Sequence, residues 1–501
     1  DTMSEVADGK PIPISKSSGN LGLTTLVKSD ITPYFIETLS RALPSIWDGQ
    51  KESQRKCLFG IENMKISAAG VKSMIAVVGE IKEIAGYHKG ELYETVARMT
   101  QSFAGSNNIN YFIPDGECGT RAFNGTDISK ERYLSTGPEK VMTAIFSPMD
   151  RPLLERVWAD DHRSKYEYFH YAPVVPMVLI NGAEGIATGW STSVPCYNPA
   201  DIVAKIRLWL AGKPLGARLV PWFRNFKGEI YLSIKTGTGK PKRWVDGDEG
   251  TPNFWVSRGL LSKSTSAWSE KTREKGWVIG EVPIGSSISS ILNHLNFLMT
   301  GVKQMKKKYA GDPGKPGKAK AKSKAKGQVT TKVKPKLRDI KDYSLPNYPN
   351  IHVLPVKSFI PDIETKGNFD FLTQTHSLNN MILLNTKGIP TKYQSAEDIL
   401  VEWCEARFEI YTQRRIWWMK RWSRDLIRQQ QRYNFISYVL DGSLDMHQGM
   451  SFDNMGLIET LMVRGAREIR LREFNALLRE VKAYRHDFRA KAEKAGRNQS
   501  R

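Results

Sequence analysis

The sequence is short of what secreted, membrane-spanning or zinc-centred proteins are built from. Four cysteines in 501 residues, Cys57, Cys118, Cys196 and Cys404, stand far apart with no Cys-x-x-Cys pair. That spacing argues against a disulfide framework and a thiolate zinc site, and for reduced, mostly buried thiols. No apolar run has transmembrane length, and no basic amphipathic stretch of the interfacial kind stands out, so a membrane is not the expected partner. Asp1 to Leu21 is polar, without the apolar core of a secretory signal. The first residue is not Met, as in a cropped or processed chain. Acidic residues are also scarce, 52 against 74 Lys and Arg, which leaves a formal net charge of +22. An excess of that size points to a polyanionic partner.

The length suits roughly two to four domains with proper cores. Residues 1–28 read as a disordered leader rich in Ser, Gly, Pro and Lys. A first domain is expected over 29–165. It has short helices near 31–39, 52–59 and 68–78, and a fourth over 91–103, where Leu92, Val96, Met99 and Phe103 fall at helical spacing. Short helices followed by a β-like segment and a basic loop are the pattern of a winged helix-turn-helix. A helical stretch to about Asp161 is expected after Tyr133. Residues 166–390 mix strand and helix signals and read as an α+β domain. The run from Tyr171 to Trp190 suggests a strand entering a tight loop at Gly182, Gly185 and Gly189. No Lys-Ser or Lys-Thr follows those glycines, so a P-loop is unsupported.

Lys303 to Lys336 holds thirteen lysines against one acid, Asp312, with Gly, Pro and Ala between them. Such a segment cannot pack a core. It reads as a solubilising linker, a sequence-blind arm for DNA or a nuclear localisation signal, with non-specific DNA contact favoured. From Ser395, with Asp398 as a capping-box partner, a long basic helix is expected to about Gln431. A second charged helix, about 469–495, could pack back antiparallel and make 391–501 a dimerisation arm.

The chemistry concentrates in Gly119–Tyr133, a polar, glycine-punctuated loop that ends in Arg132-Tyr133. A tyrosine beside an arginine suits attack on a phosphodiester, with the phenol as covalent nucleophile and the guanidinium on two phosphate oxygens. An Arg-Tyr pair alone is weak, since most such pairs are an exposed charge beside a half-buried ring. His88, next to Tyr87 and Lys89, is either a structural histidine or a phosphate contact.

Several ordered blocks together resemble the DNA-cleavage region of type IIA DNA topoisomerases, the eukaryotic and viral enzymes more than the bacterial gyrase subunit. They are Arg41–Phe59, Tyr87-His88-Lys89-Gly90-Glu91, Phe103-Ala-Gly-Ser-Asn-Asn, Gly119-Thr-Arg, Arg132-Tyr133, and Pro176 through Trp190 with its Glu-Gly-Ile. The resemblance implies an α+β fold with a winged-helix cleavage domain, an α/β tower domain and a long coiled-coil dimerisation arm. It implies that Tyr133 forms a 5′-phosphotyrosyl link with Arg132 stabilising the transition state. Ile186 would wedge between base pairs, and Lys51, Arg55, Lys56, His88, Lys89 and Arg121 would hold the DNA backbone. Three positions depart from the family pattern: Lys89 replaces a second histidine, and Thr126 and Glu131 replace Lys and Pro.

A phenol ordinarily holds its proton at neutral pH, so this chemistry calls for help from a metal. No Glu-Gly-Asp-Ser-Ala signature of a TOPRIM module is present, and Asp246-Gly-Asp-Glu, which has the letters of its Asp-x-Asp signature, lies in a hydrophilic loop where chance accounts for it. The resemblance therefore implies Mg²⁺ held by a TOPRIM module and ATP bound by an ATPase module. These sit on a partner subunit or on a missing N-terminal half. The implied partners are double-stranded DNA and a second copy of the chain, and the implied location is intracellular on DNA. The rival readings are a non-catalytic architectural DNA-binding protein, a gyrase-like supercoiling subunit, and an RNA-binding or structural protein.

Overall fold

The computed structural model describes residues 26–64, 66, 70–87, 92–158, 165–235, 241–268, 274–301 and 334–440. The expected leader up to residue 25, most of the lysine-rich segment and the return helix at 469–495 lie outside them, as do His88 and Lys89. Two compact units divide the chain, Asp1–Ile410 and Tyr411–Arg501.

The first unit opens with helices α1 (Thr32–Ala42) and α2 (Glu52–Asn63), strand β1 (Lys72–Ser73), and helices α3 (Met74–Ile84) and α4 (Tyr93–Thr100). Strand β2 (Ser135–Thr136), helix α5 (Lys140–Ile145), strands β3 (Arg156–Trp158) and β4 (Tyr166–Tyr168) and helix α6 (Met177–Ile180) follow. Next come β5 (Ala183–Ala187), β6 (Trp190–Val194) and α7 (Pro199–Leu210). Helix α3 forms because Met74, Val77, Val78 and Ile81 recur at helical spacing and are buried together. Helix α2 starts where the Lys51 backbone N–H donates to Gln54 Oε1 at 2.9 Å. It is buried nearly all round from Lys56 to Ile61. One large core joins these helices to Met177–Ile180 and to Ile399, Leu400 and Trp403. Burying each such side chain contributes about 1.5–3 kcal/mol.

The helical stretch expected after Tyr133 is instead broken into short pieces. Pro138, Pro148 and Pro152 remove the amides a continuous helix would need. The strand expected at Met177–Ile180 is a single helical turn, and the glycines after it belong to the antiparallel β5–β6 hairpin.

The strand-rich part has β7 (Glu229–Lys235), β8 (Pro241–Arg243), β9 (Phe254–Arg258), β10 (Leu261–Ala267) and β11 (Lys275–Ile279). It continues through α8 (Ile288–Thr300), β12 (Leu337–Asp342), β13 (Ile351–Pro355), α9 (Ile360–Lys366) and β14 (Thr373–Ser377). Two four-stranded sheets result, ordered β14-β9-β7-β8 and β10-β11-β13-β12, and every pairing is antiparallel. Helix α8 buries Ile288, Ile291 and Leu295 against Ile279, Leu337 and Val353 of the second sheet. The hairpin β15 (Met381–Leu384) and β16 (Pro390–Tyr393) leads into α10 (Ala396–Leu440). The fold is mixed α+β, as expected.

Ser395 and Asp398 cap α10 reciprocally: Ser395 N–H donates to Asp398 Oδ2 at 2.9 Å, and Asp398 N–H to Ser395 Oγ at 3.2 Å. In the second unit the helix carries Trp417, Trp418 and Trp422 in consecutive ring contacts at 4.8 and 5.5 Å. Among the described residues no helix is long and apolar enough to cross a membrane. All four cysteines are free and buried, and burial pushes the Cys57 and Cys404 thiols up to about 12.

Candidate active site

The loop Gly119–Tyr133 is held from inside. The buried Gln101 amide donates to Cys118 O at 2.8 Å and Gly125 O at 3.1 Å. A Cβ at Gly125, where φ is +73°, would lie 2.7 Å from Gln101 Oε1, so only glycine lets the amide in. Asp127 closes the loop by accepting from Thr120 N–H at 2.8 Å and Thr120 Oγ at 2.6 Å. The chain then makes one 3₁₀ turn, Glu131–Tyr133. Buried Leu134 anchors it, its carbonyl accepting from Met74 N–H at 2.8 Å. Pairing of Ser135 and Thr136 with Ser73 and Lys72 fixes the far side.

This framework presents Tyr133 outward, 68% exposed. The Arg132 guanidinium lies 5.4 Å from its ring centroid. Burial pushes the phenols of Tyr111, Tyr171 and Tyr197 upward, which removes them as nucleophiles. Arg132 also borders a cleft of about 520 Å³ with Lys82, Tyr93, Lys130 and Glu131. Lys82 and Lys130 have no signal in the sequence, because a lysine on a helix face or loop looks the same whatever it faces.

Ile186 lies near the tip of the β5–β6 hairpin and is 86% exposed, an unusual position for a large aliphatic side chain. Lys51 is half-buried in a polar cleft of about 420 Å³ with Gln54, Arg98, Asn107 and Glu184. Burial lowers its ammonium, Glu184 opposes that, and Arg98 adds to it.

Three cations expected on a DNA backbone are internal instead. Lys56 Nζ pairs with Glu167 at 2.7 Å and is buried with it. Arg55 Nε donates to Asp48 Oδ2 at 2.8 Å and Nη2 to Oδ1 at 3.2 Å. Burial works against its charge, but Asp48, Glu167 and Tyr171 together outweigh burial and raise the guanidinium. Asp48 also accepts from Gln50 N–H and Tyr171 N–H, each at 2.9 Å, so this pair is the hub of a turn. Arg121 is fully buried, and its Nη2 donates to Val282 O and Pro283 O at 2.9 Å each. The sequence displays their charge but not their partners, which are remote for Lys56 and Arg121.

Among the described residues no three His, Cys, Asp or Glu side chains converge as a metal site requires. Asp246 accepts from the remote Arg218 N–H and Asp248 from the neighbouring Val245 N–H.

Residues 41–312 match the family described as the A subunit of DNA gyrase/topoisomerase IV. A DNA topoisomerase 2 of Arabidopsis thaliana is 30% identical over 443 residues, covering 88% of this chain and 26% of that protein. That of Candida albicans is 42% identical over 192 residues, 38% of this chain and 13% of that protein. That of Invertebrate iridescent virus 6 is 26% identical over 433 residues, 84% of this chain and 32% of that protein. The chain thus spans about a third or less of these relatives. The structure resembles the DNA-binding, cleavage and re-ligation domain of Plasmodium falciparum topoisomerase II, with TM-score 0.71 and 23% identity. That match covers 95% of this chain and 62% of the other.

Proposed function

The chain belongs to the family of DNA gyrase/topoisomerase IV A subunits, as the DNA-cleavage region of a type IIA topoisomerase, and on that premise we propose that it breaks and rejoins double-stranded DNA through Tyr133. The observation that carries this reading is the exposed Tyr133 phenol, offered beside Arg132 at the edge of a cation-lined cleft.

In the proposed step Tyr133 Oη forms a bond to the scissile phosphorus and the bond from phosphorus to the 3′ oxygen breaks. The phenol gives up its proton and the departing 3′ oxygen takes one up. One phosphodiester has been exchanged for another, so religation by the 3′ hydroxyl is the same reaction reversed. Arg132 holds the non-bridging oxygens as charge builds on them. Lys51, His88 and Lys89 contact the backbone, joined by Lys82 and Lys130, while Arg55, Lys56 and Arg121 serve the framework behind them. Ile186 enters the base stack, and the bend it produces lets the protein contact more backbone.

In this reading residues 29–165 form the winged-helix cleavage domain and 166–390 the tower, and 391–501 supply the coiled-coil contact of a homodimer. Two such sites cut a duplex with a short stagger and a second duplex passes through. Mg²⁺ and ATP serve type II topoisomerases generally. We assign both to a TOPRIM/ATPase module outside this chain, and no step here is routed through them. The setting is intracellular, on DNA.

The test is to mix the chain with its TOPRIM/ATPase partner, plasmid and Mg²⁺, quench with SDS, and look for linear DNA covalently attached to this polypeptide. The adduct is expected with the wild type and absent with Tyr133→Phe. Salt-sensitive binding with no adduct, despite an active partner, would establish the architectural alternative.

A further inference from the structure

The loop that carries Tyr133 is anchored at its two ends to different parts of the first unit. Its C-terminal end is tied to the helical part through Leu134 and the β1–β2 pairing. Its N-terminal end is gripped by the strand-rich part. Ala122 N–H donates to Pro346 O at 2.8 Å, Arg121 N–H to Asn347 Oδ1 at 3.0 Å, and Arg121 Nη2 to Val282 O and Pro283 O. Glu281 Oε1 lies 3.9 Å from Arg121 Nη2. The Glu281 carboxylate is itself fixed by Val282 N–H at 2.9 Å and Lys227 N–H at 3.2 Å.

We propose that Arg121 is a positioning residue for the cleavage step. It locks the N-terminal half of the loop to the Glu281–Pro283 segment, so that a shift of the sheets relative to the helices is delivered to Tyr133. The energetics favour this over a merely stabilising role. Arg121 is fully buried, yet its Nε and Nη1 have no hydrogen-bond partner among the described residues. Burying donors unpaired is costly, and a well-packed apolar side chain of similar volume is often at least as stable as a buried ion pair. What a guanidinium provides here and an apolar chain does not is direction: one nitrogen fixed on two successive carbonyls. The inference rests on the reading of Tyr133 as nucleophile.

The experiment uses the full chain with its partner module and compares Arg121→Met, Arg121→Lys and Glu281→Gln. Arg121→Met is expected to slow SDS-trapped adduct formation about 10–100-fold at saturating DNA, the scale of a small misplacement of a reacting group. DNA affinity and its dependence on salt should stay near wild type, because no phosphate contact is lost. Arg121→Lys should recover part of the rate and Glu281→Gln should lose part of it. A salt slope lowered by about 1 would make Arg121 a phosphate contact and overturn the proposal. So would a folded Arg121→Met that forms adducts at the wild-type rate.

If the wild type itself forms no adduct, the nucleophile reading has failed and Arg121 is judged by amide hydrogen exchange over Thr120–Asp127. Faster exchange confined to that loop in Arg121→Met sustains the positioning role, and unchanged exchange overturns it. If Arg121→Met does not fold, Arg121→Lys and Glu281→Gln give the same readings.

Discussion

Lys51 and Lys56 carry the same charge at the start of one helix, and the structure gives them opposite surroundings, an open cleft and a buried ion pair. Lys56 Nζ sits 2.7 Å from Glu167 and 3.3 Å from Ala85 O, and the two charged side chains are 5% and 10% exposed. Lys56→Met keeps the stem and removes the charge, leaving a buried carboxylate whose Oε2 already lacks a partner. Removing one partner of a buried pair costs roughly 3–5 kcal/mol. The low end applies here. Burial already raises the Glu167 carboxyl while Lys56 pulls it down, so without Lys56 the carboxyl can take up a proton and limit the loss. Changing Glu167→Leu as well should recover most of the stability. Lys51→Met, on the wall of an open cleft, should change stability by less than about 1 kcal/mol. It should lower the salt slope of DNA binding by roughly 0.9, one phosphate's worth. Urea denaturation and a salt titration of DNA affinity read both quantities on both variants. If Lys56→Met keeps its urea midpoint and flattens the salt dependence instead, the internal pairing is wrong and the lysine faces DNA.

Three further perturbations test other parts of the fold and site. His170 stacks on Trp47 at 4.6 Å, and burial pushes it down to about 4, with Asp48 opposing and Arg55 adding. The unfolded chain therefore binds the proton first, and stability is lost as pH falls from about 6.5 toward 4. Urea midpoints should report a loss of about 2 kcal/mol between pH 7 and pH 5, and His170→Phe should remove it. Gly49 has φ +69°, and an added Cβ would lie 2.7 Å from Val178 Cα. Gly49→Ala should cost about 2–4 kcal/mol from backbone strain and overpacking together, read by denaturation. Ile186→Ser should reduce DNA bending, measured by energy transfer between duplex ends, while the salt slope holds because no cation is lost. An unchanged bend angle would remove the wedge.

What the sequence makes legible is what depends on near neighbours. Leu92, Val96, Met99 and Phe103 announce α4 by spacing alone, and it spans Tyr93–Thr100. Ser395 and Asp398 announce the start of α10, and both reciprocal bonds form. The apolar run Met177–Ile180 reads as strand yet folds as a helical turn, because four buried aliphatic residues look alike in either state. Pro176 fits the start of that turn, where a missing N–H costs nothing. The prolines after Tyr133 hold the opposite lesson, since a helical composition from Leu134 onward does not survive them.

Charge is the least legible property, because its role depends on residues far away in the chain. Six groups are expected on the DNA backbone from sequence: Lys51, Arg55, Lys56, His88, Lys89 and Arg121. Two of the six lie outside the described residues. Of the other four, Arg55, Lys56 and Arg121 are held by Asp48, Glu167 and the Val282–Pro283 carbonyls. Each phosphate neutralised contributes roughly 0.9 to the salt slope, so a count taken from the sequence overstates it by roughly 2.7. The net charge of +22 points to a polyanionic partner. It does not show how the charges are used, because Arg55, Lys56 and Arg121 are engaged by acceptors of their own chain.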